Sequence, residues 1–208
     1  MLIIFDCDGV LVDSEKLAAQ VFADALAERG LAITAQTCFS VFKGHTLANC
    51  FEILRTQFAF EVPPDFAQQL DIKTKHAFTH NLKPVAGVRE LLADLVKRGV
   101  PFCVASNGGH DKIAHSLTVT GLIKYFPENR FSAEDVARGK PAPDLFVYAA
   151  EAMGVPVEFA RVIEDSYTGL KAARAAGIKS FFYGASSKEC DQLEAIQFDN
   201  MALLPGLL

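Results

Sequence analysis

The chain contains no Cys-x-x-Cys pair: Cys7, Cys38, Cys50, Cys103 and Cys190 are scattered and odd in number. That spacing fits neither a disulfide framework nor a cysteine zinc site. There is no run of lysine or arginine, and the formal charge is −5, so nucleic acid is not an expected partner. No apolar stretch approaches the ~20 residues needed to cross a bilayer, so no membrane association is expected. The N-terminal apolar stretch has no basic region before it and is broken early by Asp6, which does not fit a signal peptide. A reducing cytoplasm is the expected location. Internal repeats and low-complexity segments are also missing. What remains is 208 residues, half of them hydrophobic and 22% charged, enough for a sizeable core.

Residues 3 to 9 read Ile-Ile-Phe-Asp-Cys-Asp-Gly. An apolar run ends in two carboxylates two residues apart, so Asp6 and Asp8 fall on one side of an extended segment. Carboxylates that close repel each other unless a cation lies between them. One can attack as a nucleophile while the other moves protons. An acidic turn after a strand would use the same residues. The two readings separate on whether matching groups stand at the ends of other strands.

Five short apolar runs read as strands: Leu2–Phe5, Phe102–Ala105, a weak one at Arg130–Phe131, Arg161–Ile163 and Lys179–Tyr183. Helical patterns over Val88–Lys97, Ile113–Thr120, Asp144–Met153 and Tyr167–Ala176 separate the later ones, each followed closely by glycine. This alternation predicts an α/β fold, a doubly wound, mostly parallel sheet of Rossmann-like type with helices on both faces. Between the first strand and Pro84 the pattern is helical only, over Glu15–Glu28, Thr46–Phe58 and Asp65–His80. Residues 14–83 therefore read as a helical lobe inserted into a sheet domain made of 1–13 and 84–208, with two adjacent connections serving as a hinge.

Each later strand ends in polar chemistry. Ser106, Asn107 and Gly108 follow the second, Gly139-Lys140-Pro141 follows the weak third, and Glu164 and Asp165 follow the fourth. In a parallel sheet these converge with Asp6 and Asp8 on the edge where open α/β sheets bind ligands. One such segment is weak evidence, but four in order are not. Carboxylates gathered in one crevice call for a cation, and hard oxygen ligands with open positions suit Mg²⁺. A lysine and a hydroxyl suit a phosphate. With Asp8 protonated, the other three carboxylates and a phosphate dianion sum to about −5, of which Mg²⁺ and Lys140 offset about +3.

The ordered motifs DCDGV, SNG, GKPAPD and IED resemble the haloacid dehalogenase-like hydrolase superfamily, most closely its phosphatase and β-phosphoglucomutase-like branch with a helical cap. The resemblance covers essentially the whole chain. It implies that Asp6 attacks phosphorus to form an aspartyl-phosphate. Asp8 would protonate the leaving alcohol and then activate water. Ser106, Asn107 and Lys140 would hold the phosphoryl group. Asp6, the backbone carbonyl of Asp8, and Asp165 would hold Mg²⁺, with Glu164 close by or ligating. The insertion would be a cap that excludes water and selects the substrate. Within it, the segment Val41–Thr46 would lie over the active site, with Lys43 and Gly44 contacting a polar or acidic part of the substrate.

Several other motifs do not hold. Asp6-x-Asp8 has glycine and Leu17 at the wrong places for an EF-hand. Arg138–Pro141 lacks the first glycine and the Ser/Thr of a P-loop. Cys7 and Cys103 have no downstream arginine of the cysteine-phosphatase kind, and Cys7 is expected to point into the core. His76 and His80 share a helix face but have no third ligand. A receiver domain, a non-enzymatic phospho-aspartate alternative, carries its acceptor Asp after the third strand and has no such insertion. The alternative function is that of a β-phosphoglucomutase-like sugar phosphomutase, against which stands Ala18, where that pattern has a histidine. The expectation is a Mg²⁺-dependent phosphatase of a small phosphorylated metabolite: a sugar phosphate, a sugar-acid phosphate or phosphoglycolate. The apolar tail Leu203–Leu208 is expected to pack on the core, leaving a monomer or a weak homodimer.

Overall fold

In a computed structural model, residues 1–43, 47–184 and 188–208 are described. The first strand, β1 (Leu2–Phe5), is fully buried along its length. After Asp13 the chain enters a compact helical unit, Ser14–Leu82, and Lys83–Leu208 then complete a second compact unit with Met1–Asp13.

The helical unit holds α1 (Ser14–Ala27), α2 (Ala35–Phe42), α3 (Leu47–Phe58) and α4 (Phe66–Asn81). Ala19, Phe22, Ala23 and Leu26 recur at helical spacing on α1 and join Cys38, Phe42, Cys50, Leu54 and Phe66 in one core. Phe22 meets Phe42 edge-on at 5.0 Å between ring centroids and Phe66 at 6.0 Å. Burial of each such ring contributes about 1.5–3 kcal/mol. Exposed ion pairs on the rim, such as Arg29–Asp65 at 2.7 Å, contribute ~0–1 kcal/mol each.

The helix α2 has no counterpart among the helices expected from the sequence. It is short, and its start rests on Thr34, whose hydroxyl accepts from Thr37 N at 3.0 Å. Thr46, the expected start of the next helix, lies outside the described residues.

The sheet unit continues through α5 (Val88–Lys97), β2 (Phe102–Ser106), α6 (His110–Val119), β3 (Arg130–Ser132), α7 (Asp144–Ala152), β4 (Ala160–Glu164), α8 (Tyr167–Ala175), β5 (Lys179–Tyr183), α9 (Lys188–Gln192), β6 (Ile196–Phe198) and α10 (Leu204–Leu207). Strand order is β3-β2-β1-β4-β5-β6, and every pairing is parallel. The expected doubly wound parallel sheet is present, with β6 as a sixth strand. That strand spans only three residues at an edge and is incompletely buried, so it carries almost no periodic signal. On one face Leu2, Ile4, Cys103, Ala105 and Val162 pack against Leu145, Phe146 and Ala149 of α7 and Ala172 and Ala173 of α8. The alternate residues Phe5 and Phe102 meet ring to ring on the other face, at 6.2 Å. Gly99 and Gly177 end α5 and α8 at φ +64° and +70°, values that only glycine reaches cheaply.

The segment before the helical unit runs beside the segment after it. Val85 N donates to Leu11 O at 3.0 Å, and Asp13 N donates to Lys83 O at 2.9 Å. No helix among the described residues is long and apolar enough to cross a membrane.

Candidate active site

Strand order reverses at β1, which pairs with β2 on one side and β4 on the other. The carboxyl end of β1 is therefore the switch point of the sheet. Phe5 is level with Val104 and Ile163, so Asp6 stands beside Ala105 and Glu164. Its N–H donates to Ile163 O at 2.9 Å, keeping it in the ladder's line. The chain then turns sharply: Leu11 N and Val12 N both donate to Cys7 O, and Gly9 N donates to Val12 O at 2.8 Å. Gly9 has φ +81°, and a Cβ there would overlap the Asp165 carboxylate. Glycine is required twice over, for the backbone and for the room it leaves that carboxylate.

Lys140 fills the centre of the site. Its Nζ donates to Asp6 Oδ1 at 2.6 Å, Glu164 Oε1 at 2.7 Å and Ala105 O at 2.8 Å. All three ammonium hydrogens are used. Only 3% of its side chain is exposed. Burial opposes its charge, but Asp6 and Glu164 outweigh burial and hold the ammonium well above the usual lysine range. The other oxygen of Glu164 accepts from Asp165 N, Ser166 N and Ser166 Oγ at 3.1, 3.0 and 2.8 Å. Ser166 caps α8, accepting from Gly169 N at 3.0 Å, so Glu164 sits at a helix start, where its charge is favoured.

Carboxylate oxygens of Asp6, Glu164 and Asp165 lie within 4.8 Å of one another, and all three residues are buried. Burial pushes the Asp6 carboxyl well above the usual range. Lys140 opposes this, and Glu164, Asp165 and Asp8 add to the rise. One ammonium does not balance three buried carboxylates, which is the electrostatic demand for a further cation. The donors are hard oxygens, and the space that a Cβ on residue 9 would fill belongs to Asp165. The set fits a small divalent cation such as Mg²⁺. Glu164 is already engaged by four donors, so Asp6 and Asp165 are the better placed for a direct metal bond.

Of the remaining residues expected from the sequence, Ser106, Asn107 and Asp8 belong to the sheet unit. Ser106 ends β2, 2% exposed, with its Oγ accepting from Gly108 N at 3.1 Å. The Asn107 side chain, although the residue is exposed, is hydrogen-bonded to the Lys140 backbone. Asp8 is partly exposed, and its Oδ2 accepts from Lys112 Nζ at 2.6 Å. Cys7 is buried. Burial, with Asp8 and Asp6, raises its thiol well above the ordinary cysteine value and keeps it inert. Lys43 belongs to the helical unit, where its Nζ lies 5.3 Å from the Phe39 ring centroid. Gly44 lies outside the described residues, as does the rest of the expected 41–46 segment from that position on.

Three contributions escape a reading of the sequence: Lys112 on Asp8, Ser166 on Glu164, and the Asn107 amide on Lys140. Ser166 was within reach, as a serine opening a helical pattern. The other two depend on contacts across many residues.

A family model described as haloacid dehalogenase-like hydrolase matches residues 3–183. The 6-phosphogluconate phosphatase of Escherichia coli (strain K12) is 30% identical over 99% of this chain and 93% of its own. The phosphorylated carbohydrates phosphatase of Thermotoga maritima is 28% identical over 86% of this chain and 83% of its own. Among solved structures, a HAD family hydrolase from Deinococcus radiodurans R1, with bound phosphate and sodium, superposes with a TM-score of 0.88 at 33% identity, covering 99% of this chain and 93% of that one. Sheet order, switch-point carboxylate and sequence agree: the chain belongs to the haloacid dehalogenase-like hydrolase family, as an enzyme of its phosphatase branch.

Proposed function

We propose that the protein is a Mg²⁺-dependent phosphatase of a small phosphorylated sugar or sugar acid, working through an aspartyl-phosphate on Asp6. The observation that carries this reading is the Lys140 ammonium bridging Asp6 and Glu164 beside Asp165. It fixes a buried carboxylate at the switch point and leaves the site short of positive charge. Similarity to a 6-phosphogluconate phosphatase across 99% of the chain supports the substrate class.

In the first step an Asp6 oxygen forms a bond to phosphorus as the ester P–O bond breaks. Asp8 gives its proton to the departing alkoxide, so the alcohol leaves neutral. In the second step the Asp8 carboxylate takes a proton from water, whose oxygen bonds to phosphorus. The acyl-phosphate P–O bond then breaks, returning the Asp6 carboxylate and releasing inorganic phosphate. The Ser106 hydroxyl, the Asn107 backbone N–H and Lys140 hold the phosphoryl oxygens. Asp6, Asp165 and the Asp8 carbonyl would hold Mg²⁺, which when bound would shield the Asp6 carboxylate from the phosphoryl charge. The helical unit selects the substrate, with Lys43 and Gly44 as its contacts.

The test is phosphate release from a panel of phosphorylated sugars and sugar acids, 6-phosphogluconate among them, with Mg²⁺ and with chelator. Turnover that requires Mg²⁺ and vanishes in Asp6→Asn supports the reading. Full turnover after chelation, or in Asp6→Asn, overturns it.

A further inference from the structure

The 2.6 Å contact between Lys112 Nζ and Asp8 Oδ2 is not explained by stability. The lysine side chain is 47% exposed and that of Asp8 22%, and a pair still open to water on the lysine side contributes about 1 kcal/mol. An exposed lysine also loses rotamer freedom when it is fixed. Yet the pair is held from its base. Lys112 lies in the first turn of α6, and the start of that helix is tied down at three points. Gly108 O accepts from Ser132 Oγ at 2.8 Å, His110 N donates to Glu134 Oε2 at 3.1 Å, and the His110 ring meets Asp135 Oδ1 at 2.7 Å. The lysine stem then runs across Gly108, where an added Cβ would come within 3.2 Å of Lys112 Cδ. Any side chain at position 108 would crowd that path.

From this geometry we infer that Lys112 is a positioning residue for Asp8, holding Oδ2 so that the carboxyl group is directed for proton transfer to the leaving group. The inference rests on the phosphatase reading, in which Asp8 is the acid and base. Lys112 itself neither gives nor takes a proton, and it makes no contact required with the phosphoryl group. Its chemistry is felt only where Asp8 is needed. Expulsion of a sugar alkoxide needs a proton, whereas para-nitrophenolate leaves readily without one. The rate through formation of the aspartyl-phosphate, read as kcat/KM, therefore separates the two substrates.

The experiment compares Lys112→Met, Lys112→Arg, Asp8→Asn and the double variant Lys112→Met/Asp8→Asn, on the best sugar phosphate and on para-nitrophenyl phosphate. Lys112→Met is expected to lower kcat/KM for the sugar phosphate by about 10–10²-fold, as expected for a misplaced catalytic group. The para-nitrophenyl phosphate value should stay within about threefold, with melting temperature unchanged. Lys112→Arg should retain part of the sugar-phosphate rate. In the Asp8→Asn background Lys112→Met should cost nothing further, because the two act as a unit. Equal losses on both substrates, or an additive loss in the double variant, would mean that Lys112 contacts the phosphoryl group directly, and would overturn the inference. Wild-type kcat/KM in Lys112→Met with an inactive Asp8→Asn would overturn the inference alone. An active Asp8→Asn would overturn the phosphatase reading beneath it.

Discussion

The side-chain amide of Asn107 holds the backbone of Lys140 at both ends, accepting from Lys140 N at 2.8 Å and donating to Lys140 O at 3.0 Å. A residue at the end of one strand thereby fixes the loop that follows another. The fit is close, because a Cβ on Gly139 would come within 2.6 Å of Asn107 Oδ1.

Asn107→Ala removes both bonds and leaves the Lys140 N–H without its partner. At about 0.5–1.5 kcal/mol per bond, a loss of about 1–3 kcal/mol in stability is expected. Turnover should fall further than stability alone explains, since Lys140 is no longer aimed at Asp6. Denaturant melts alongside steady-state kinetics measure both. A variant with wild-type turnover would reduce Asn107 to a turn residue.

Gly9→Ala brings two faults together. The backbone is left-handed there, which costs roughly 1–2 kcal/mol for a residue with a Cβ, and the new methyl displaces the Asp165 carboxylate. The expected result is a folded protein of lower stability whose Mg²⁺ requirement rises by at least about tenfold, the loss of roughly one charge-assisted contact. Mg²⁺ titration of turnover measures it. An unchanged half-saturating concentration would exclude Asp165 from the metal set.

The raised carboxyl of Asp6 makes metal-free stability depend on pH. Burial lifts its folded pKa above the unfolded value of about 3.9. Between the two, the native state keeps a proton that the unfolded state has released. Stability then falls as pH climbs through that window and levels off above the folded pKa. Asp6→Asn cannot ionise. Without metal it should lack this decline and melt higher than wild type near neutral pH, while Mg²⁺ should stabilise wild type more than the variant. Parallel melting curves for the two proteins across pH would contradict this.

Ala18, where a sugar phosphomutase of the family would present histidine, gives a further test. With glucose 1-phosphate, free phosphate should appear and hexose 6-phosphate should not. On the best natural substrate Lys43→Ala should lower kcat/KM by roughly tenfold, the value of a hydrogen bond to a charged group, and should spare para-nitrophenyl phosphate. Hexose 6-phosphate appearing first would favour mutase chemistry.

The sheet was legible because β1, β2 and β5 are short apolar runs of the kind a doubly covered parallel strand requires. Asp6, Ser106, Lys140, Glu164 and Asp165 stood out because polar chemistry at the end of an apolar strand is conspicuous. Lys112 did not. Its partner lies 104 residues away, and its placement depends on where α6 begins. The apolar pattern starts that helix at Ile113, but Gly109 has extended backbone at the N-cap and the helix opens at His110. Those extra residues put Lys112 on the first turn. The roles of Ser166 and of the Asn107 amide were hidden for a related reason. Hydrogen bonds to a neighbour's backbone or carboxylate leave no periodic trace.

The hydrogen-bonded pairing of Leu11–Asp13 with Lys83–Val85 has an evolutionary consequence. Neighbouring strands lie about 5 Å apart, so residues 14–82 span a gap that a short turn could close. The entropy of closing a loop grows only with the logarithm of its length, about 0.6 kcal/mol per doubling. From about four residues to the length of the helical unit is roughly four doublings, about 2.5 kcal/mol. A lineage can therefore lengthen, shorten or exchange that segment by recombination at two adjacent points, leaving the carboxylates and Lys140 where they are. With the helical unit in its proposed role of selecting the substrate, new substrates can be acquired without redesigning the chemistry.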